Sequence, residues 1–297
     1  MENQELQLGL LGFGEAAYCF AKDLSQAGLQ GIVAYSRSGA KAAGNDPVRQ
    51  RAAEAGVELV RTRRALCKRT NVIIAVTSGK SALATLRSVH AHLRPDHIYV
   101  DANACSVSTM EKADNLLAGK CSFVDAAIMG AIALNGMKVV TVVSGERAEA
   151  VRSLLAPYGM NIQVVGTKPG AASAMKLIRS VCIKGLSVTL MESLEAAQRC
   201  GILDAVAADI AGSLDERPFL QLMKRYVCGT AAHAERRVQE MADALELLDS
   251  LGNSTRMTRA TRAKLNDVVK SGLPEHFGRR EPDSLALVMD AIVQAKQ

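Results

Sequence analysis

The sequence predicts an α/β fold: a doubly wound, mainly parallel sheet over residues 1–166, followed by an all-helical half over residues 167–297. Three observations predict it. Short β-rich runs alternate with helical stretches through the first half. A Gly-rich turn stands between the first strand and the first helix. The alternation stops at Gly166-Thr167-Lys168-Pro169-Gly170, a strong punctuation signal, and no strand pattern follows.

Residues 6–11 read as a strand and 15–27 as a helix closed by Gly28. Residues 32–35 form a second strand, and 36–46 a polar loop. Pro47 then opens a helix, since proline suits a first turn. Further strands are expected at 57–60, 71–76, 98–101, 123–126 and 139–144, with helices at 81–92 and 109–117 between several of them. Past the punctuation, 171–200 reads as one long apolar helix. Others follow at 204–214, 230–251 and 258–271. A helix as apolar as 171–200 exceeds what one sheet domain can cover, which predicts the core of a homodimer.

The chain has 297 residues, enough for one large domain or two ordinary ones. With 48% hydrophobic and 22% charged residues, disorder is excluded as its main character. Aromatics at 3%, without Trp, argue against a base-stacking nucleic-acid platform. A net charge of +6 favours anionic partners, and a polyanionic nucleic acid and a small phosphate-bearing cofactor both fit that sign. The seven cysteines (Cys19, Cys67, Cys105, Cys121, Cys182, Cys200 and Cys228) are odd in number, with no C-x-x-C pair. They read as reduced core thiols of a cytoplasmic protein. The polar start of the chain predicts no secretory signal. The longest apolar runs, such as 72–76, are strand-sized, so no membrane span is expected.

Gly12, Gly14 and Ala17 form a G-x-G-x-x-A turn, the dinucleotide fingerprint of a Rossmann-type domain. Gly12 permits the turn, Gly14 lets backbone approach a pyrophosphate, and Ala17 keeps helix and strand close. Gly-rich turns are common, so the pattern gains its weight from its place between a strand and a helix. Gly12, Phe13, Gly14, Glu15 and Ala16 are therefore the candidate phosphate cradle. An NAD site expects a carboxylate at the end of the second strand. Here stand Ser36 and Arg37, with Lys41 nearby, so the expected cofactor is NADP(H) in preference to NAD(H). A solvated loop charge is the other account of Arg37. Thr77 and Ser78 follow the fourth strand, where they could touch the cofactor or cap the next helix.

Beyond the punctuation, Lys176 and Ser180 are four apart and share a helix face. The neighbours Met175, Leu177 and Ile178 are apolar, and desolvation by them would lower the lysine pKa toward acid–base duty. A lysine that snorkels to solvent remains the alternative on this ground alone.

The chain resembles the β-hydroxyacid dehydrogenases, the family of 3-hydroxyisobutyrate and 6-phosphogluconate dehydrogenases. Four segments carry the resemblance, in the family's order and spacing: residues 9–17; Asp101-Ala102-Asn103-Ala104-Cys105-Ser106; Asp125-Ala126-Ala127-Ile128-Met129-Gly130; and residues 170–180. The resemblance implies that Lys176 is the catalytic acid–base group. It implies that Asn103 lies beside the nicotinamide, and that Ser106, Met129, Gly130 and Ser180 line the substrate site. Met129 stands where the family has serine, Ser180 where it has asparagine, and Asn103-Ala104 where it has Ser-Thr. These departures point away from the usual small 3-hydroxy acid. Ile183 replaces the glutamate of the decarboxylating branch.

The C-terminal half resembles the domain of unassigned function on phosphogluconate-dehydrogenase-like bacterial proteins, through residues 233–241. His233, Arg236 and Arg237 could clamp a small anionic substrate, or belong to a solvated helix with internal Glu–Arg pairs. The resemblance implies an NADP-dependent oxidoreductase acting on CH–OH donors, exchanging hydride with a hydroxy or keto acid-like substrate. The alternatives are an imine reductase-like NADPH enzyme, against which the retained lysine argues, and a non-catalytic dinucleotide-binding protein. The basic run Arg61, Arg63, Arg64, Lys68 and Arg69 reads as a solvated helix face, in preference to the alternative of a nucleic-acid patch. His90, His92 and His97 read as a solvent-facing loop. Asp101 and Asp125 lack a third ligand with metal spacing, so no metal is expected.

Overall fold

The computed structural model describes residues 5–41 and 46–295. The chain divides into two compact units, Met1–Ser180 and Val181–Gln297. The first unit is built on eight strands: β1 (Leu8–Leu11), β2 (Val33–Tyr35), β3 (Glu58–Leu59), β4 (Val72–Ala75), β5 (Ile98–Asp101), β6 (Ser122–Ile128), β7 (Thr141–Ser144) and β8 (Ile162–Gly166). They form one sheet in the order β3-β2-β1-β4-β5-β6-β7-β8, parallel throughout except for the β6–β7 pair. The order reverses between β1 and β4, so the crevice beyond their C-terminal ends is where ligands of such sheets bind.

The helices of this unit are α1 (Glu15–Gln26), α2 (Arg37–Lys41), α3 (Pro47–Glu54), α4 (Arg63–Lys68), α5 (Ala82–His90), α6 (Val107–Leu117), α7 (Ile132–Asn135), α8 (Ala148–Leu155) and the first turns of α9 (Ala171–Arg199). Successive strand residues feed opposite faces of the sheet. Ile74, Val100 and Val124 join one buried cluster with Phe20 and Leu24 of α1 and Val151 of α8. Ile73, Tyr99 and Phe123 join the other with Leu66 of α4, Leu86 of α5 and Met110 of α6. Burial on both faces is why these strands read as continuous apolar runs.

The second unit is helical, with the remainder of α9, then α10 (Leu203–Asp215), α11 (Phe219–Ser250), α12 (Arg256–Lys270), α13 (Leu273–His276) and α14 (Leu285–Gln294). α11 kinks at His233, whose φ of −125° and ψ of 27° leave the helical region. The buried carboxylate of Glu192 accepts from the Met257 and Thr258 N–H groups at 3.0 and 2.8 Å, capping the start of α12. Burial raises its pKa, but these and two hydroxyl hydrogen bonds outweigh burial and hold it below the usual value.

Several expectations need correction. The loop expected at 36–46 contains α2. β8 has no counterpart in the sequence reading, and α11 begins at Phe219 rather than near residue 230. The expected bounds 1–166 and 167–297 differ from the two compact units only in where α9 is divided, and its first residues Ala172 and Ser173 are hydrogen-bonded to the sheet. Only Cys67 and Cys228 are core thiols; Cys182 and Cys200 are exposed. His97 is fully buried, accepting from the Arg94 N–H through Nδ1 and meeting the Cys67 and Thr70 carbonyls through Nε2.

Candidate cofactor and active site

The Gly-rich turn lies between β1 and α1. Gly12 has φ +101°, and a Cβ there would meet the Val76 carbonyl oxygen at 2.3 Å, so only glycine fits. Phe13 is buried beneath the turn, while Gly14, the N-cap of α1, and Glu15 are exposed and Ala16 is half-buried. A Cβ on Gly14 would meet nothing within 4 Å. The open space there, at the free N–H groups and positive dipole end of α1, suits a pyrophosphate.

A cavity of about 530 Å³ opens beside this turn, lined by Gly12, Ser36, Arg37, Thr77 and Ser78, five of the residues singled out from sequence. Tyr35, Ser38, Arg63, Ser81 and Thr85 complete its polar wall. The volume lies in the range of small-molecule pockets, and the lining carries two guanidinium groups and no carboxylate. The Ser36 hydroxyl accepts from the Gly39 N–H at 2.8 Å and so starts α2, leaving Arg37 exposed on its first turn. The side chain of Lys41 lies outside the described residues. Ser78 meets Ser81 hydroxyl-to-hydroxyl at 2.9 Å within the turn Gly79–Ser81, so it both lines the cavity and shapes that turn.

Asn103 is buried. Its Oδ1 accepts from the Thr77 N–H at 2.6 Å, and its Nδ2 donates to Asp101 Oδ1 at 2.7 Å. It braces the loop after β4 against the end of β5. A Cβ on Gly79 would meet the Ala104 carbonyl oxygen at 2.1 Å, so glycine allows the two loops this approach. Asp101 Oδ2 is buried without a hydrogen-bond partner, and burial pushes the carboxyl up to about 6.

Asp101, Asp125 and Ser144 are register partners on β5, β6 and β7. Asp125 accepts from the Ser173 hydroxyl at 2.7 Å and its N–H at 2.9 Å, and the Ser144 hydroxyl accepts from the Ala172 N–H at 3.0 Å. Burial raises the Asp125 pKa although these hydrogen bonds oppose it. The network anchors the start of α9 to the sheet, and Lys176 follows one turn after Ser173. Sequence reading placed Asp125 in a motif but missed this anchor; the polar Ser173 at the opening of an apolar helix was its signal.

Lys176 and Ser180 are half-buried. The apolar neighbours expected to desolvate the lysine are themselves exposed, Ile178 at 71%, because they face outward from α9. Met129 is half-buried and Gly130 exposed at the end of β6, and Ser106 is exposed as the N-cap of α6. In the second unit, Arg236 pairs with Glu240, and the Arg237 guanidinium donates to the Tyr226 carbonyl and the Thr230 hydroxyl. His233 lies 3.9 Å from Glu281. The internal Glu–Arg pairing thus holds for Arg236, while Arg237 bridges the kink of α11.

Residues 197–268, from the end of α9 into α12, match the family model "Domain of unknown function (DUF1932)". Among solved structures, the chain is 32% identical to the conserved protein MTH1747 of unknown function, described as structurally similar to 3-hydroxyacid dehydrogenases. The match covers 89% of this chain and 98% of that one, with a TM-score of 0.61. An imine reductase variant from Myxococcus stipitatus, in complex with NAD+, is 19% identical over 97% of this chain and 100% of its own, with a TM-score of 0.76. A reductive aminase from Aspergillus terreus, in complex with NADPH and ethyl levulinate, is 17% identical over 98% and 99%, with a TM-score of 0.70. The last two likenesses are of fold. Among the described residues no helix is long and apolar enough to cross a membrane.

Proposed function

Because the chain belongs to the β-hydroxyacid dehydrogenase family, with a C-terminal domain of unassigned function, we propose that it is an NADP-dependent oxidoreductase acting on a small anionic hydroxy or keto acid-like substrate. The observation that carries the reading is the cavity beside the β1–α1 turn, with its open space at Gly14, its two arginines and its lack of a carboxylate. The turn from Gly12 to Ala16 would hold the pyrophosphate. Arg37 would pair with the 2′-phosphate that an acidic residue would repel. Thr77 and Ser78 would flank the dinucleotide, on the loop that Asn103 braces.

When bound, the nicotinamide supplies a hydride acceptor or donor at carbon. The chain itself manages the proton. In oxidation Lys176 Nζ takes the hydroxyl proton, and in reduction it returns one to the carbonyl oxygen. Asp125 and Ser144 hold the first turn of α9, which fixes the helix on which Lys176 and Ser180 ride. Ser106, Met129 and Gly130 are the proposed substrate contacts of the first unit.

An imine reductase is the second reading, favoured by the fold likeness over nearly the whole chain. It keeps the cofactor and replaces the carbonyl by C=N. We place the protein in the cytoplasm, on its odd number of cysteines and the lack of a C-x-x-C pair. The exposed apolar residues of α9, among them Val181 and Met191, support a homodimer. The test is a panel of hydroxy acids, aldehyde acids and cyclic imines with NADPH and NADP+, followed at the nicotinamide absorbance. Turnover of a hydroxy or keto acid is expected. Turnover of imines alone selects the second reading, and cofactor binding without any turnover overturns both.

A further inference from the structure

We infer that Arg63 is a second specificity-determining cation of the cofactor cavity, reading with Arg37 the phosphomonoester on the adenosine ribose. The inference rests on the dinucleotide reading above and extends it to a residue that the sequence assigns to a solvated basic run. Arg63 opens α4. The Thr62 hydroxyl caps that helix by accepting from the Ala65 N–H at 3.1 Å, and α4 packs beside β2. There the Arg63 guanidinium carbon lies 4.7 Å from the centroid of the Tyr35 ring, at the end of β2. Tyr35 is itself 91% covered, so the guanidinium rests on a fixed surface.

Three features separate Arg63 from the other arginines of the run. It lines the cavity, together with Arg37 and the Ser36, Ser38 and Thr85 hydroxyls. Arg69 is instead engaged by both oxygens of Glu58. Second, Arg63 Nε is buried and has no hydrogen-bond partner, so no acceptor of the protein engages this edge of the guanidinium, in contrast to Arg69. Third, stacking on Tyr35 occupies a face of the guanidinium and leaves its in-plane N–H groups for a planar fork of oxygens.

Charge gives the ligand class. A phosphomonoester carries close to two negative charges at neutral pH, its second pKa lying near 6. Arg37, exposed on α2, supplies one positive charge. Arg63 supplies the other, and none of the lining residues carries a competing carboxylate. A free ribose hydroxyl offers neither guanidinium a charged acceptor, so the pair discriminates by phosphate.

The experiment is calorimetric titration of the full chain with adenosine 2′,5′-bisphosphate, 5′-AMP, NADPH and NADH, in the parent, Arg63→Gln and Arg63→Lys. Loss of a charge-assisted hydrogen bond predicts about a ten- to hundredfold weaker affinity of Arg63→Gln for the bisphosphate and NADPH. Its affinity for 5′-AMP and NADH should stay within about twofold. Arg63→Lys should fall between, keeping the charge and losing the planar stack. If Arg63→Gln leaves the bisphosphate affinity unchanged, or weakens 5′-AMP equally, Arg63 is a packing residue and this inference fails while the dinucleotide reading stands. If the parent binds none of the four ligands, both readings fall together.

Discussion

Asp101 couples the cofactor-side loops to pH, and its replacement by asparagine gives a measurable prediction. The carboxyl is fully buried on β5, and only Oδ1 is engaged, by the backbone and side-chain N–H groups of Asn103. Burial is the main cause that raises its pKa from 3.8 to about 6; Asp125 on the next strand adds to the rise, and the Asn103 hydrogen bonds oppose it. The folded chain therefore keeps this proton longer than the unfolded chain does. Between pH 3.8 and about 6 the native state binds more protons. Stability then falls as pH rises through that window, and the loss is complete above it. At about 1.36 kcal/mol per unit, the full displacement amounts to about 3 kcal/mol. About 1 kcal/mol of it is lost between pH 5 and pH 8. Asp101→Asn keeps an oxygen for Asn103 to donate to and removes the titration.

The assay is urea unfolding of parent and Asp101→Asn at pH 5 and pH 8, at one ionic strength and without cofactor. The parent should lose about 1 kcal/mol more than the variant between the two conditions. Asp125, also raised by burial, titrates in both proteins and cancels to first order. The variant's absolute stability is not the readout, because its new amide group is buried where Asp101 Oδ2 has no hydrogen-bond partner. Equal losses in the two proteins would show that Asp101 is ionised in the native state near pH 5, and the burial argument would be wrong.

The parts of this fold that were legible in the sequence are those where one local constraint dominates. β1, β4 and β5 are buried on both faces, so their apolar runs admit no other reading. The turn at Gly12 was legible because a Cβ would strike the backbone of the neighbouring loop. β8 escaped because Gln163 and Val165 are exposed on a strand that pairs on one side, which leaves a short and broken pattern. The first turns of α11 escaped because Phe219, Leu220 and Met223 are exposed and give no amphipathic stripe. Side-chain networks escaped for a different reason. The Asp101–Asp125–Ser144 row exists only through strand register, and Ser173 meets it 48 residues from Asp125 along the chain. Arg63 was read as solvated because a count of basic residues does not reveal that the first turn of α4 lies beside Tyr35. Lys176 was singled out by family resemblance, since its helical surroundings alone fit a solvent-facing lysine equally well.

Arg37→Asp should weaken NADPH binding by about ten- to a hundredfold and leave NADH within a few-fold, by the charge-assisted contact it removes; fluorescence titration that finds equal parental affinities, unmoved by the change, would refute its role. The chain should sediment at twice its 31.5 kDa mass, because a monomer leaves Ile178, Val181 and Met191 of α9 at 70% exposure or more; a well-folded monomer at high dilution contradicts this. Lys176→Ala should lower turnover by about 10² to 10⁴, the range of positioned acid–base catalysis. Its NADPH affinity should stay within a few-fold, since the proposed phosphate cradle lies in the β1–α1 turn and not on α9. Lys176→Arg should fail as well, because a guanidinium does not release its proton near neutrality, whereas an alkoxide formed in reduction needs one delivered. Single-turnover hydride transfer on an accepted substrate separates chemistry from binding in all three proteins. If Lys176→Ala keeps near-parental rates there, the proton travels by another group, and Lys176 is an ordinary residue of α9.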